Sequence, residues 1–165
     1  MNRRLFLAAL PVALAAGCGF QLRRLDGMPF TSLYIDTSSG GVVAQRVRSL
    51  LASNKVTRLT ATAEEAEAVL KLGQEERSKT ILSLSGAGRV TEYRLGLKLT
   101  YSVGGKDGRV WAAAETLDLS RDLTYDDTLL LAKGSEEQLL YRDMEDSAAR
   151  RIVRRLQSIS SGNGH

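Results

Sequence analysis

The side chains best suited to chemistry are scarce in this chain, which has one cysteine, Cys18, and one histidine, His165. A lone cysteine has no partner for a disulfide bond and no second thiolate for a metal site. His165 is the last residue of a polar, glycine-rich tail, where chain termini are commonly poorly ordered. The sequence therefore predicts no serine–histidine pair, no metal site and no cofactor.

Two pairs of adjacent carboxylates are the remaining candidates for acid–base chemistry. Asp126-Asp127 and Glu136-Glu137 stand at the starts of segments with helical periodicity, where acidic side chains interact favourably with the helix dipole. The run Gly86-Ala87-Gly88-Arg89 lacks the rest of a phosphate-loop or dinucleotide signature. These features favour helix starts and a hairpin tip, so the sequence predicts a protein that is not an enzyme.

The N-terminus has the layout of a secretory signal. Arg3 and Arg4 precede an apolar run over residues 5–16, which is too short to span a bilayer. The small residues Ala15-Ala16-Gly17 lead directly into Cys18 and resemble a lipobox. We therefore expect cleavage after residue 17 and lipidation of Cys18, which leaves no thiol for catalysis or metal binding. The alternative is an ordinary signal peptide followed by an unpaired thiol.

The length and charge of the mature chain favour one small domain. We expect a lipidated tether over residues 18–30, a single domain over residues 31–157 and a flexible tail over residues 158–165. The formal net charge of +4 falls by two when the signal with its two arginines is removed. Nucleic-acid binding therefore has little electrostatic support.

The first half of the domain reads as alternating strands and helices. Residues 33–35 predict a strand, and apolar residues at helical spacing predict a helix from Val43 to Ala52. A second strand is expected over residues 56–60, a helical turn over residues 62–67 and a third strand from Val69 to Leu72.

Two long hairpins are expected next. The polar segment 74–89 predicts a hairpin arm with its tip at Gly86-Ala87-Gly88. Strict alternation over residues 93–103 predicts a strand with one buried and one wet face. After a glycine-rich turn, residues 110–125 return as its partner, with a bulge because Glu115 and Arg121 interrupt the apolar phase. The residues of that phase are Trp111, Ala113, Leu117, Leu119 and Leu123.

The last segment, residues 126–156, has helical periodicity with a break or restart at Gly134-Ser135. Its apolar positions are Leu129, Ala132, Leu139, Leu140, Met144, Ala148, Ile152 and Leu156. Arginines near its C-terminal end interact favourably with the helix dipole. Together the elements predict an α+β fold: a two-layer sandwich with a mostly antiparallel or mixed sheet of about four strands and two main helices packed on one face. The opposite face of the sheet is then solvated or covered by a partner.

Four segments taken together resemble the LptE family of LPS-assembly lipoproteins. They are Cys18-Gly19-Phe20-Gln21-Leu22-Arg23, Thr91-Glu92-Tyr93-Arg94-Leu95, Leu131-Ala132-Lys133 with Glu136-Glu137, and Met144-Glu145-Asp146-Ser147-Ala148-Ala149. The resemblance implies an outer-membrane lipoprotein, with Gly19 arguing against retention in the inner membrane. It further implies a domain that faces the periplasm or lies inside the lumen of the β-barrel LptD, supports the assembly of that barrel and helps deliver lipopolysaccharide to the outer leaflet.

The resemblance also implies which cations bind lipopolysaccharide. Lys133 matches a position of the family's leucine–alanine–lysine motif, and Arg89 lies in the loop before the glutamate–tyrosine strand. Arg77, Lys79 and Arg94 are weaker candidates, and a solvated surface charge is the alternative for each. The alternative function is a stand-alone periplasmic lipoprotein that carries a lipid or acts as a chaperone without a barrel partner.

Overall fold

The computed structural model describes residues 28–38, 41–54 and 57–159. Along the chain, its elements are β1 (Ser32–Asp36), α1 (Val42–Asn54), β2 (Arg58–Leu59), β3 (Ala68–Leu72), β4 (Glu76–Leu84), β5 (Val90–Gly105), β6 (Val110–Thr124), a short 3-10 helix (Asp127–Leu129) and α2 (Leu130–Ser158). The expected signal 1–17, Cys18 with most of the tether, and most of the tail lie outside the described residues.

The sheet is organised around β5. β6 pairs antiparallel with β5 over nearly the whole length of β5. β3 and β4 both pair antiparallel with the other edge of β5, each along a different part of it. β3 pairs with the last residues of β5, whereas β4 pairs with its first half. β1 then adds in parallel to β3, and β2 in parallel to β1. The result is a six-stranded mixed sheet from which β4, β5 and β6 extend as a three-stranded arm.

The core lies between one face of this sheet and the two helices. The odd-numbered residues of β5 from Leu95 to Val103 are buried, while the even-numbered residues between them are not. They pack with the apolar stripes of both helices, namely Val43, Val47, Leu51, Met144, Ala148, Ile152 and Leu156. The two-layer α+β fold is confirmed, and the sheet has six strands, including the two-residue β2, where about four were expected.

The first half of β6 contains a bulge. Val103 lies opposite Ala112 but Tyr101 lies opposite Glu115, so β6 has one residue more than β5 in this interval. The extra residue reverses the alternation: Ala112 is buried before it, and the odd-numbered leucines are buried after it. The expectation that Ala113 shares the phase of those leucines is wrong, because Ala113 is exposed.

α2 is one continuous helix, so the predicted break at Gly134-Ser135 is wrong. The Ser135 Oγ donates a hydrogen bond to the carbonyl oxygen of Leu131, 3.1 Å away and one turn earlier, instead of capping a new helix. The chain on both sides of Gly134 consists of good helix formers, which offset the cost of about 1 kcal/mol that one glycine imposes.

The first half of α2 does not enter the core. Leu129, Ala132 and Leu139, which the periodicity places on the apolar face, are exposed, and the buried residues of the helix begin at Tyr141. In this half the helix faces polar side chains of the arm, so ion pairs replace apolar packing. The leucines of this region are therefore available to solvent or to a ligand.

Two shorter segments also differ from expectation. Residues 62–67 form bends and a turn closed by a hydrogen bond from the Ala66 amide to the Ala63 carbonyl oxygen at 3.2 Å, and not a helical segment. The strand expected over residues 56–60 is reduced to Arg58–Leu59. Among the residues that the structure describes, none of the helices has both the length and the apolar character needed to cross a membrane.

Candidate functional site

The hairpin tip between β4 and β5 positions Arg89. The Ser85 amide donates to the Arg89 carbonyl oxygen at 2.7 Å, and the Gly88 amide donates to the Ser85 carbonyl oxygen at 2.9 Å. Gly88 has φ +74°, a left-handed conformation that glycine adopts without steric cost. This tight turn holds Arg89 at the far end of the arm, where its side chain is 72% exposed.

The start of the α2 region lies against the same end of the arm. The Tyr125 amide donates to the Thr91 carbonyl oxygen at 2.9 Å, which ties the end of β6 to the base of the hairpin tip. Asp126 then caps the following helical turn by accepting from the Thr128 amide at 2.9 Å and the Thr128 hydroxyl at 2.7 Å. Lys133 follows on the first turn of α2.

Two cations predicted from the sequence therefore meet at one place, which we call the tip site: Arg89, Lys133, Asp126, Asp127 and Glu136. Arg89 Nη1 lies 3.8 Å from Asp127 Oδ2, and Lys133 Nζ lies 2.8 Å from Glu136 Oε2. Hydrogen bonds from Thr128 lower the pKa of Asp126, and the charges of Lys133 and Arg89 lower that pKa further. Both cations thus act on the same carboxylate.

Exposed aliphatic side chains occur on the elements that carry the tip site. Leu131 is 91% exposed, and its neighbours Leu129 and Leu130 are also exposed. On the other side of the arm end, β4 exposes Ile81, Leu82 and Leu84. Single exposed apolar residues are common on protein surfaces, whereas a cluster of them indicates a binding surface. The tip site therefore combines cations with accessible apolar surface.

The three weaker cation candidates lie elsewhere. Arg77 and Lys79 point from β4 towards α2, where Arg77 pairs with Glu145 and Lys79 Nζ lies 2.6 Å from Glu137 Oε2. The hydrogen bond to Glu137 raises the pKa of Lys79. These two side chains attach the arm to the helix and are not free to bind a ligand without disrupting that contact.

Arg94 belongs to the opposite face of the sheet. Its guanidinium makes two hydrogen bonds to the Asp122 carboxylate, at 2.8 and 3.1 Å. Thr100 and Thr116 are hydrogen-bonded on the same face at 3.0 Å. Lys98 lies between Glu76 on β4 and Asp118 on β6 in the strand register. In the described part of the chain no second layer covers this polar sheet face.

The sequence did not reveal Glu145, the buried carboxylate that connects three elements. Its side chain is 2% exposed and pairs with Arg77 of β4 and, at 3.0 Å, with Arg46 of α1. A signal was available, because Glu145 lies four residues after the core residue Tyr141 and so shares its face of α2. In the described residues no three histidine, cysteine, aspartate or glutamate side chains are arranged to hold a metal ion.

Comparison with known proteins gives consistent matches over this whole region. The family model described as "LptE: Lipopolysaccharide-assembly" matches residues 29–156. The LPS-assembly lipoprotein LptE of Photorhabdus laumondii is 34% identical over 157 residues, which cover 93% of this chain and 84% of the relative. The protein of the same name from Pectobacterium atrosepticum is 28% identical, with 97% of this chain and 89% of the relative covered.

Solved structures show the same fold. The solution structure of an uncharacterized lipoprotein B from Nitrosomonas europaea superposes with a TM-score of 0.75 at 30% identity, covering 87% of this chain and 94% of that one. The crystal structure of rare lipoprotein B from Shewanella oneidensis gives a TM-score of 0.67 at 27% identity, covering 77% and 94% of the two chains.

Proposed function

The chain belongs to the LptE family of lipopolysaccharide-assembly proteins, and from that premise we propose that it is an outer-membrane lipoprotein anchored through Cys18. In this proposal it plugs the LptD β-barrel, supports assembly of that barrel, and helps deliver lipopolysaccharide to the outer leaflet. The family is described by assembly and not by a reaction. The role requires binding and positioning, without catalysis or a cofactor.

The polar sheet face supports the plug role. On this face Arg94 is hydrogen-bonded to Asp122, and Thr100 is hydrogen-bonded to Thr116. The middle of β5 carries no large apolar side chain on the same face. The interior of a membrane β-barrel is polar and is filled by a plug in some families. A hydrogen-bonded polar surface fits such a lumen better than it fits lipid.

The length of β5 also supports the plug role. Its 16 residues extend about 50 Å at about 3.3 Å per residue. The apolar band of an outer-membrane barrel is only about 25 Å tall. Met28, where the described chain begins, lies near the end of the domain opposite the tip site, as the contact of Phe30 with Trp111 beyond the β5–β6 turn indicates. A domain tethered at that end is long enough to carry the tip site through the barrel.

The convergence of Arg89 and Lys133 beside exposed leucines carries the lipopolysaccharide-binding part of the proposal. Lipopolysaccharide presents phosphates next to acyl chains. Arginine and lysine bind phosphate through charge-assisted hydrogen bonds, and apolar side chains contact acyl chains. At the tip site both kinds of surface occur together.

The direct test is purification of the tagged, full-length lipoprotein from detergent-solubilised outer membranes, with identification of the co-purifying molecules by mass. We expect a large β-barrel in stoichiometric amount, together with lipopolysaccharide. Arg89→Ala with Lys133→Ala should reduce the recovered lipopolysaccharide but retain the barrel. Recovery of lipid without a barrel would contradict the plug role and favour the stand-alone carrier.

The anchor is tested separately with Cys18→Ala. The variant should fold, as judged by circular dichroism, but in cells that lack the barrel it should not be recovered in the outer-membrane fraction. Retention of the variant in the outer-membrane fraction of cells that lack the barrel would show that Cys18 is not the anchor.

A further inference from the structure

The two cations of the tip site already have partners. Lys133 Nζ contacts Glu136 Oε2 at 2.8 Å, and Arg89 Nη1 lies 3.8 Å from Asp127 Oδ2. Asp126 adds a third carboxylate that both cations influence. The tip site therefore holds two positive and three negative charges, an unexpected balance for a surface that binds a polyanion.

The three carboxylates are not equivalent. Asp126 has a structural role, since it caps the helical turn through the amide and the hydroxyl of Thr128. Asp127 and Glu136 make no such contact; in the described residues their side chains are paired with Arg89 and Lys133. Both are about half exposed, so a ligand can reach their ion pairs.

We infer that Asp127 and Glu136 are specificity-determining residues of the tip site: they compete with phosphate for Arg89 and Lys133, and so weaken binding and accelerate release. The inference rests on the proposed lipopolysaccharide-binding function and adds that the two cations of the site are paired with its own carboxylates. A ligand must displace them before it binds.

The physical reason is the difference between a carboxylate and a phosphate group. Lys133 is only 17% exposed, but Asp127 and Glu136 are 54% and 45% exposed. Ion pairs with accessible carboxylates are weak, so the two carboxylates can be displaced. Phosphate offers more acceptor oxygens and more charge than a carboxylate, and both groups bind arginine in a bidentate manner. The displaced carboxylates stay within a Debye length of about 8–10 Å and continue to repel the ligand.

Displacement of both carboxylates favours ligands with more than one phosphate, because only such a ligand replaces the partners of both cations. A headgroup with a single phosphate charge gains little from a site whose own charges nearly cancel. A headgroup with two phosphates contacts both cations at once and so replaces both carboxylate contacts. Asp127 and Glu136 thus discriminate a bisphosphorylated glycolipid from the ordinary anionic phospholipids of the same membrane.

The experiment measures binding of the full-length lipoprotein in detergent to bisphosphorylated lipid A and to phosphatidylglycerol, with dissociation rates. The variants are Asp127→Asn, Glu136→Gln and the two combined. Asp143→Asn is the matched control: it lies ten residues beyond Lys133 on α2, about 15 Å along the axis, and its carboxylate pairs with Arg121 at 2.7 Å. Circular dichroism confirms that each variant is folded.

We expect each single substitution to tighten lipid A binding about threefold, the effect of one like charge about 6 Å away in water. The double variant should bind about tenfold tighter, mainly through slower dissociation, and should lose selectivity against phosphatidylglycerol. Asp143→Asn should leave both affinities unchanged.

Unchanged or weaker binding by the Asp127 and Glu136 variants, with wild-type binding that depends on Arg89 and Lys133, would overturn the inference and leave the proposed function standing. An equal gain in Asp143→Asn would overturn it as well, since the effect would then be one of overall charge. Absence of lipid A binding in every variant would overturn both the inference and the lipid-binding part of the function, whereas recovery of the barrel is judged independently.

Discussion

Glu145→Gln tests how the arm is attached to the helices. In the wild type, Glu145 Oε1 pairs with Arg77 of β4 and Oε2 pairs with Arg46 of α1 at 3.0 Å. The substitution preserves the volume of the side chain but removes its charge. It also replaces one acceptor oxygen with an amide group that donates, so only one of the two guanidinium groups retains an acceptor on this side chain, while Arg46 keeps its second ion pair, with Asp146.

The magnitude follows from burial and exposure. A hydrogen bond to a charged group makes a net contribution of about 1.5–3 kcal/mol to the free energy of unfolding. Removal of one partner of a buried ion pair costs about 3–5 kcal/mol. Glu145 is buried, but the side chains of Arg46 and Arg77 are 28% and 42% exposed and can be rehydrated. We therefore expect a loss of about 2–3 kcal/mol in the free energy of unfolding, and a fall in Tm of about 4–12 °C for a chain of this size.

The assay is urea unfolding of the purified protein, followed by circular dichroism and analysed by linear extrapolation. Asp143→Asn is the control, because it breaks an exposed pair with Arg121 on the same helix and should cost less than about 1 kcal/mol. A double-mutant cycle of Glu145→Gln with Arg77→Met should give a coupling of about 1–2 kcal/mol. If Glu145→Gln is no more destabilising than the control, or the coupling is zero, the network does not hold the arm.

Three further predictions concern single positions. Burial and then the hydrogen bond to Glu115 raise the pKa of Tyr101 to about 12 from 10.0. The stability contributed by the neutral phenol is therefore complete below pH 10.0 and lost as the pH rises towards 12. Tyr101→Phe should flatten the fall in urea midpoint across that interval, and an unchanged slope would contradict this assignment. Gly134→Ala should stabilise the protein by about 0.5–1 kcal/mol, because the added Cβ meets no atom within 4 Å; a loss of thermal stability would indicate a real break in α2. Asp126→Ala should cost about 1 kcal/mol in urea unfolding and Asp126→Asn only a few tenths, and equal effects would argue against the cap to Thr128.

The fold could be predicted where one periodicity dominates. The alternation along β5 and the helical spacing of α1 are determined by local pattern, and both elements form where they were expected. The α+β arrangement followed from their order. Prediction failed where the surrounding structure outweighs a local signal. Gly134 does not end α2, because the long helix tolerates one glycine. Ala113 points away from the core, because a bulge in β6 changes the pairing register with β5.

The tip site was less accessible to prediction. Arg89 and Lys133 are far apart in sequence and meet only because β6 returns along β5 and the helix then starts beside the hairpin tip. Spacing alone carries no signal for that meeting; the family resemblance pointed to both residues. The exposure of the leucines was not predicted, because apolar residues recur with the same helical spacing in the exposed and in the buried part of α2.

The most direct test of the central claim is photocrosslinking in growing cells from a photoreactive amino acid at position 131, the most exposed leucine on the first turn of α2. Position 48, an exposed site on α1, is the control. We predict adducts between position 131 and lipopolysaccharide that disappear when Arg89 and Lys133 are both replaced by alanine, and no such adducts from position 48. Lipopolysaccharide adducts that are absent from position 131, or equally strong from both positions, would contradict the account.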